Sequence, residues 1–151
     1  MIERIDHVNL VVNDMATMIE FYRDVLGLRL TKQAVIGGQW IDDVTGLPRV
    51  EAEVAFLEAP TGPSIELICY RTPAGAWPNR PDAPNAHGFR HMAFRVRNIV
   101  QLAASMSAAG IKFMSPIQRV PAAQVDYADL RKSIVYCRDP EGNLLELCAY
   151  E

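Results

Sequence analysis

Asp139-Pro140-Glu141-Gly142-Asn143-Leu144-Leu145-Glu146-Leu147-Cys148-Ala149-Tyr150 lies, without a gap, on Ala59-Pro60-Thr61-Gly62-Pro63-Ser64-Ile65-Glu66-Leu67-Ile68-Cys69-Tyr70. Each stretch reads as a Pro/Gly hairpin turn leading into an apolar strand with a glutamate in its middle. Working outward, the starts of the two halves match as well. Arg4-Ile5-Asp6-His7-Val8-Asn9-Leu10-Val11-Val12 pairs with Gly88-Phe89-Arg90-His91-Met92-Ala93-Phe94-Arg95-Val96. Both alternate with period two, which predicts strands. Val8, Leu10 and Val12, or Met92, Phe94 and Val96, take one face, and each histidine takes the other.

Each of these strands runs into a helical pattern. Asn13 and Asp14 precede Met15, Met18, Ile19, Tyr22 and Leu26, with Gly27 at the stop; Asn98 precedes Ile99, Leu102, Ala103 and Met106, with Gly110 at the stop. A side-chain cap at the start and a glycine at the end are the usual punctuation of helices. The chain is therefore an internal repeat. Residues 1–70 and 88–151 are expected to form two βαβββ modules of an α+β fold. Residues 71–87, with Pro73, Gly75, Pro78, Pro81 and Pro84, have a linker composition.

Composition narrows the function classes. With 151 residues the chain can bury enough surface to fold without a staple. Its 50% hydrophobic and 22% charged content is that of a globular protein. A net charge of −3 offers no basic footprint for nucleic acid or an anionic membrane. No apolar run reaches the roughly 20 residues of a membrane span, and the N-terminal residues read as a strand, not a leader. Cys69, Cys137 and Cys148 are odd in number and lie in apolar runs, so reduced, buried thiols and a cytoplasmic location are expected.

The matched polar residues point to chemistry. Glu66 and Glu146 each interrupt an apolar strand, where a carboxylate is unfavourable unless it is paired or bound to a cation. By strand parity Glu66 shares a face with Ser64 and Ile68, and His7 shares one with Asn9 and Val11. If the modules form one curved sheet, that face lines a concavity in which His7, Glu66, His91 and Glu146 can converge. Two imidazoles and two carboxylates suit a divalent ion such as Zn, Ni, Co, Mn or Fe, one per site.

These residues resemble the vicinal oxygen chelate superfamily, which includes glyoxalase I, methylmalonyl-CoA epimerase, extradiol dioxygenases, fosfomycin-resistance enzymes and bleomycin-binding proteins. The resemblance covers nearly the whole chain. It is carried by Ile5-Asp6-His7-Val8, Phe21-Tyr22-Arg23-Asp24-Val25-Leu26-Gly27-Leu28, Ile65-Glu66-Leu67, Arg90-His91-Met92-Ala93-Phe94 and the stretch from Asp139 to Leu147. It implies paired βαβββ modules forming a cup-shaped mixed sheet around a metal site, whose ligands map onto His7, Glu66, His91 and Glu146. This pattern is most like glyoxalase I and methylmalonyl-CoA epimerase, although the epimerase often has Gln at the place of Glu66. Fosfomycin-resistance enzymes usually have His there. Binding-only members lack the ligands. Extradiol dioxygenases use a two-His, one-carboxylate iron site with an additional His and Tyr, roles open to His87 and Tyr127, but they are usually longer.

The resulting expectation is a metal-dependent lyase or isomerase that abstracts a proton next to a metal-bound carbonyl, with Glu146 or Glu66 as the base. The alternatives are an extradiol-type Fe(II) dioxygenase and a non-catalytic small-molecule (antibiotic) binding protein. Arg95 shares strand parity with His91 and could meet a substrate carboxylate or phosphate. Trp40, in an expected loop over residues 40–48, and Tyr127, in one over 121–132, are candidate substrate contacts. The expected partners are a small-molecule substrate and a second copy of the chain, with no nucleic acid and no membrane.

Overall fold

The structure is a computed structural model that describes residues 2–77, 83–125 and 127–151. It divides into two units, Met1–Asn79 and Arg80–Glu151. Pro78 and Pro81 of the expected linker lie outside the described residues.

Both units have the same topology. In the first, β1 (His7–Val11), α1 (Met15–Glu20), β2 (Arg29–Gly37), α2 (Gln39–Thr45), β3 (Glu51–Glu58) and β4 (Ser64–Thr72) give a sheet of order β1-β4-β3-β2. In the second, β5 (His91–Arg95), α3 (Ile99–Ala108), β6 (Gln118–Arg119), β7 (Lys132–Arg138) and β8 (Leu144–Tyr150) give the order β5-β8-β7-β6. The first strand of each unit pairs parallel with the last, and the remaining pairs are antiparallel. The fold is α+β, built of two βαβββ modules.

The expected punctuation is present. Asp14 caps α1 by accepting the Thr17 N–H at 3.0 Å, and Asn98 caps α3 by accepting the Gln101 N–H at 3.0 Å. A π-helical turn, Phe21–Val25, extends α1 before Gly27 ends it at φ +76°. Gly110 follows α3 at φ +90°, a conformation that costs glycine little.

Period two sorts each sheet into two faces. Leu57, Ile65 and Leu67 are buried on the side of α1, as are Val135, Leu145 and Leu147 on the side of α3. Burying one such leucine contributes about 1.5–3 kcal/mol, which fixes the register. The opposite faces carry the polar residues: β1 and β5 each alternate exposed and half-buried positions, with His7 and His91 on the exposed set.

Two segments differ from the expectation. Residues 40–48 are not a plain loop: Gln39–Thr45 form α2, whose Ile41 is buried against Val50, Ala52, Val54 and Ile68. Asp42 secures the exit from this helix, accepting the Arg49 and Val50 N–H groups at 2.8 and 2.7 Å. A seven-residue helix with one buried side chain leaves no periodic trace in the sequence. Lys132, expected at the end of a loop, instead opens β7.

No cysteine among the described residues is in a disulfide; Cys137 and Cys148 are buried, while Cys69 is only half-buried. Burial pushes the Cys137 thiol up to about 11, with Asp139 adding to the shift. Among the described residues no helix is long and apolar enough to cross a membrane.

Candidate metal centre

The parallel pairings bring each histidine to its glutamate. In the first module Asn9 lies opposite Glu66, two residues beyond His7; in the second Ala93 lies opposite Glu146, two beyond His91. His7 Nε2 is 3.4 Å from Glu66 Oε2, and His91 Nε2 is 3.5 Å from Glu146 Oε2. Both separations exceed the 2.7–3.2 Å of an ordinary hydrogen bond to nitrogen. Two donors each about 2.1 Å from a common ion stand roughly 3.0–3.4 Å apart, so each pair has the spacing of one edge of a coordination shell. Among the described residues, no group of three or more His, Cys, Asp or Glu is gathered so that it could hold a metal ion. The structure gathers the four expected ligands two by two.

The surroundings of His7 favour ligation. Asp6 Oδ2 lies 3.1 Å from His7 Nδ1, and this contact holds the Asp6 carboxyl below its usual range. A carboxylate at Nδ1 selects the tautomer whose Nε2 lone pair is available, the common support of a metal-ligating histidine. The equivalent place before His91 is Arg90. There the ring lies against Tyr136 instead, with centroids 5.3 Å apart.

The glutamates are held differently. Asn9 Nδ2 donates to Glu66 Oε2 at 2.8 Å. Glu146 is only 5% exposed, and the Lys132 ammonium lies 3.0 Å from its Oε1. Burial disfavours the charge on Lys132, but the contact with Glu146 outweighs it and the lysine is held more firmly protonated than usual. Tyr136, directly opposite Glu146, has its hydroxyl pushed up, first by burial and then by the carboxylate.

Lys132 lies opposite Tyr150 and reaches diagonally to Glu146. Its Nζ stands 5.7 Å from the centroids of both the Tyr127 and Tyr150 rings, which meet edge to face at 5.6 Å. The Arg95 guanidinium lies over the same Tyr150 ring at 4.8 Å. The structure therefore brings Arg95 and Tyr127 to one ring of the second module. Trp40 sits on α2 in the first module and is exposed.

Sequence reasoning missed Lys132, Tyr136, Tyr150 and the Asn9 contact. A signal was there for three of them. Folding the hairpin outward from the Gly142 turn puts Tyr136 opposite Glu146 and Lys132 opposite Tyr150.

A model of the Glyoxalase/Bleomycin resistance protein/Dioxygenase superfamily matches residues 4–147. The chain belongs to that superfamily. It is similar to the uncharacterized protein YaeR of Escherichia coli K12, 27% identical over 146 residues that span 97% of this chain and 95% of the relative. Among solved structures it resembles a glyoxalase family protein of Bacillus cereus, with a TM-score of 0.84 and 28% identity over 99% of this chain and 95% of the other. A likeness to the trypanothione-dependent glyoxalase I of Leishmania major is one of fold alone, with a TM-score of 0.62 and 18% identity over 97% and 86% of the two chains.

Proposed function

We propose that this superfamily member is a divalent-metal-dependent lyase or isomerase that removes a proton from carbon next to a carbonyl. The observation that carries the reading is the repeat of one geometry: His7 with Glu66 and His91 with Glu146, each Nε2–Oε2 pair at coordination-edge spacing. The borderline donor set of two imidazoles and two carboxylates fits zinc, nickel, cobalt, manganese or iron. A divalent ion, when bound, supplies Lewis-acid polarisation of the carbonyl oxygen.

The residues of the chain divide the remaining work. His7, His91 and Glu66 hold position, with Asp6 and Asn9 fixing a ring and a carboxylate. Glu146 is the base. A buried carboxylate that moves away from a cation is stranded as an uncompensated charge. Lys132 at Oε1 supplies the compensation and keeps the side chain in place, while Oε2, on the histidine side, accepts the proton. Returning that proton to the neighbouring carbon completes an isomerisation.

The test is elemental analysis of the purified protein, then proton–deuterium exchange with a panel of hemithioacetals and acyl thioesters. Stoichiometric metal and metal-dependent exchange support the reading. Metal-free protein that cannot be loaded would overturn it.

A further inference from the structure

The two modules match at the histidines and glutamates and then part company on the same sheet face. Position by position, Val11 of β1 stands where β5 has Arg95, Ala52 of β3 where β7 has Lys132, and Phe56 where β7 has Tyr136. The first module uses the β3 places to build an apolar cluster under α2, with Ala52, Val54 and Ile68 buried and Phe56 and Tyr70 packed on them, while Val11 is exposed. The second module fills the matching places with two cations and a phenol. Core packing explains Ala52 and Phe56. It does not explain the second module's residues.

Both cations are held against one ring, Arg95 at 4.8 Å and Lys132 at 5.7 Å from the Tyr150 centroid. Like charges gathered on one aromatic platform repel unless an anion joins them. Glu146 answers Lys132 as an ion pair at 3.0 Å, and an ammonium carries three N–H groups with which to meet a further acceptor. Among the described residues no carboxylate pairs with Arg95, which is exposed on the sheet face with its planar fork unspent. Arg95 lies opposite Cys148, two residues past Glu146, which is on the order of 7 Å along the strand.

We propose that Arg95 and Lys132, on the Tyr150 ring, bind an anionic oxyacid group of the substrate, a carboxylate or a phosphate, several bonds from the carbon that loses its proton to Glu146. The substrate class is thus a small organic anion. The inference rests on the proposed reaction only in placing a substrate at Glu146; Arg95, Lys132 and Tyr150 of the anion site are not among the proposed metal ligands.

The experiment is an amide chemical-shift titration of metal-stripped protein with succinate, phenyl phosphate and neutral succinamide. The expected result is saturable shifts at Arg95, Lys132 and Tyr150 with the two anions and none with the amide. Arg95→Gln should weaken the binding about 10- to 100-fold, and Arg95→Lys should restore part of it. The tighter of the two anions assigns carboxylate or phosphate. No saturable shift, equal shifts with succinamide, or binding unchanged in Arg95→Gln overturns the inference. Because the protein is metal-free, anion binding can succeed while the metal reading fails, and the reverse.

Discussion

Lys132 Nζ stands 3.0 Å from Glu146 Oε1, and among the described residues of the first module no lysine makes the equivalent contact, because Ala52 occupies the matching place opposite Tyr70. One of two otherwise matched glutamates therefore has a built-in countercharge. The pair is nearly dry, with side chains 16% and 7% exposed. Lys132→Met leaves the Glu146 charge uncompensated and should cost about 3 kcal/mol in metal-free protein. A divalent ion should recover part of that loss. Urea unfolding with and without metal checks both statements, and an unchanged midpoint in metal-free Lys132→Met would count against the countercharge role.

The histidines are exposed enough to be removed without unfolding the chain, at 40% and 37% of the side chain. His7→Ala and His91→Ala should each lower bound metal while leaving the circular dichroism spectrum unchanged. Undiminished metal in either folded variant would remove that residue from the ligand set.

Glu146 and Glu66 are separated by their isosteric amides. Glu146→Gln should lower solvent-deuterium exchange by roughly 10²–10⁴-fold, since the amide oxygen can ligate but cannot take a proton. Glu66→Gln should be milder, because its holder is the neutral Asn9 amide and no countercharge prepares Glu66 to leave an ion. If Glu66→Gln is inactive and Glu146→Gln exchanges at the wild-type rate, the base is Glu66.

Cys137 gives a pH dependence independent of the site. Its thiol is raised from 9.0 to about 11 in the folded chain, so the folded state holds this proton more tightly than the unfolded one. Stability from this source is complete below pH 9 and falls as pH rises from 9 to 11, by about 2–3 kcal/mol. Cys137→Ala should flatten denaturant midpoints across that interval, on top of a pH-independent loss from the small cavity. An equally steep alkaline decline in the variant would show that another group is responsible.

Much of the architecture was legible from single positions. Asp14 and Asn98 announced two helix starts, and Gly27 and Gly110 their ends. The alternation around His7 and His91 gave two strands with the histidines on the open face. Glu66 and Glu146 stood out because a charge in an apolar strand needs a reason. The helix α2 was not legible, since Ile41 alone carries its burial and Trp40 beside it is exposed. Lys132 read as a loop residue because the strand it opens is defined by its partner Tyr150, not by its neighbours in the chain.

The sequence by itself determined the repeat, the α+β class, the parity of the strands bearing His7, Glu66, His91 and Glu146, and the identity of four candidate ligands, because these follow from local periodicity and from the chemistry of single side chains. Only the tertiary structure decided which cation answers Glu146, which ring Arg95 and Tyr127 share, and how two copies of one module place apolar side chains in one and cationic ones in the other at matching positions. Those facts depend on register between strands far apart in the chain. The burial of residues such as Leu145 and Leu147 sets that register, and their side chains point away from the site they position.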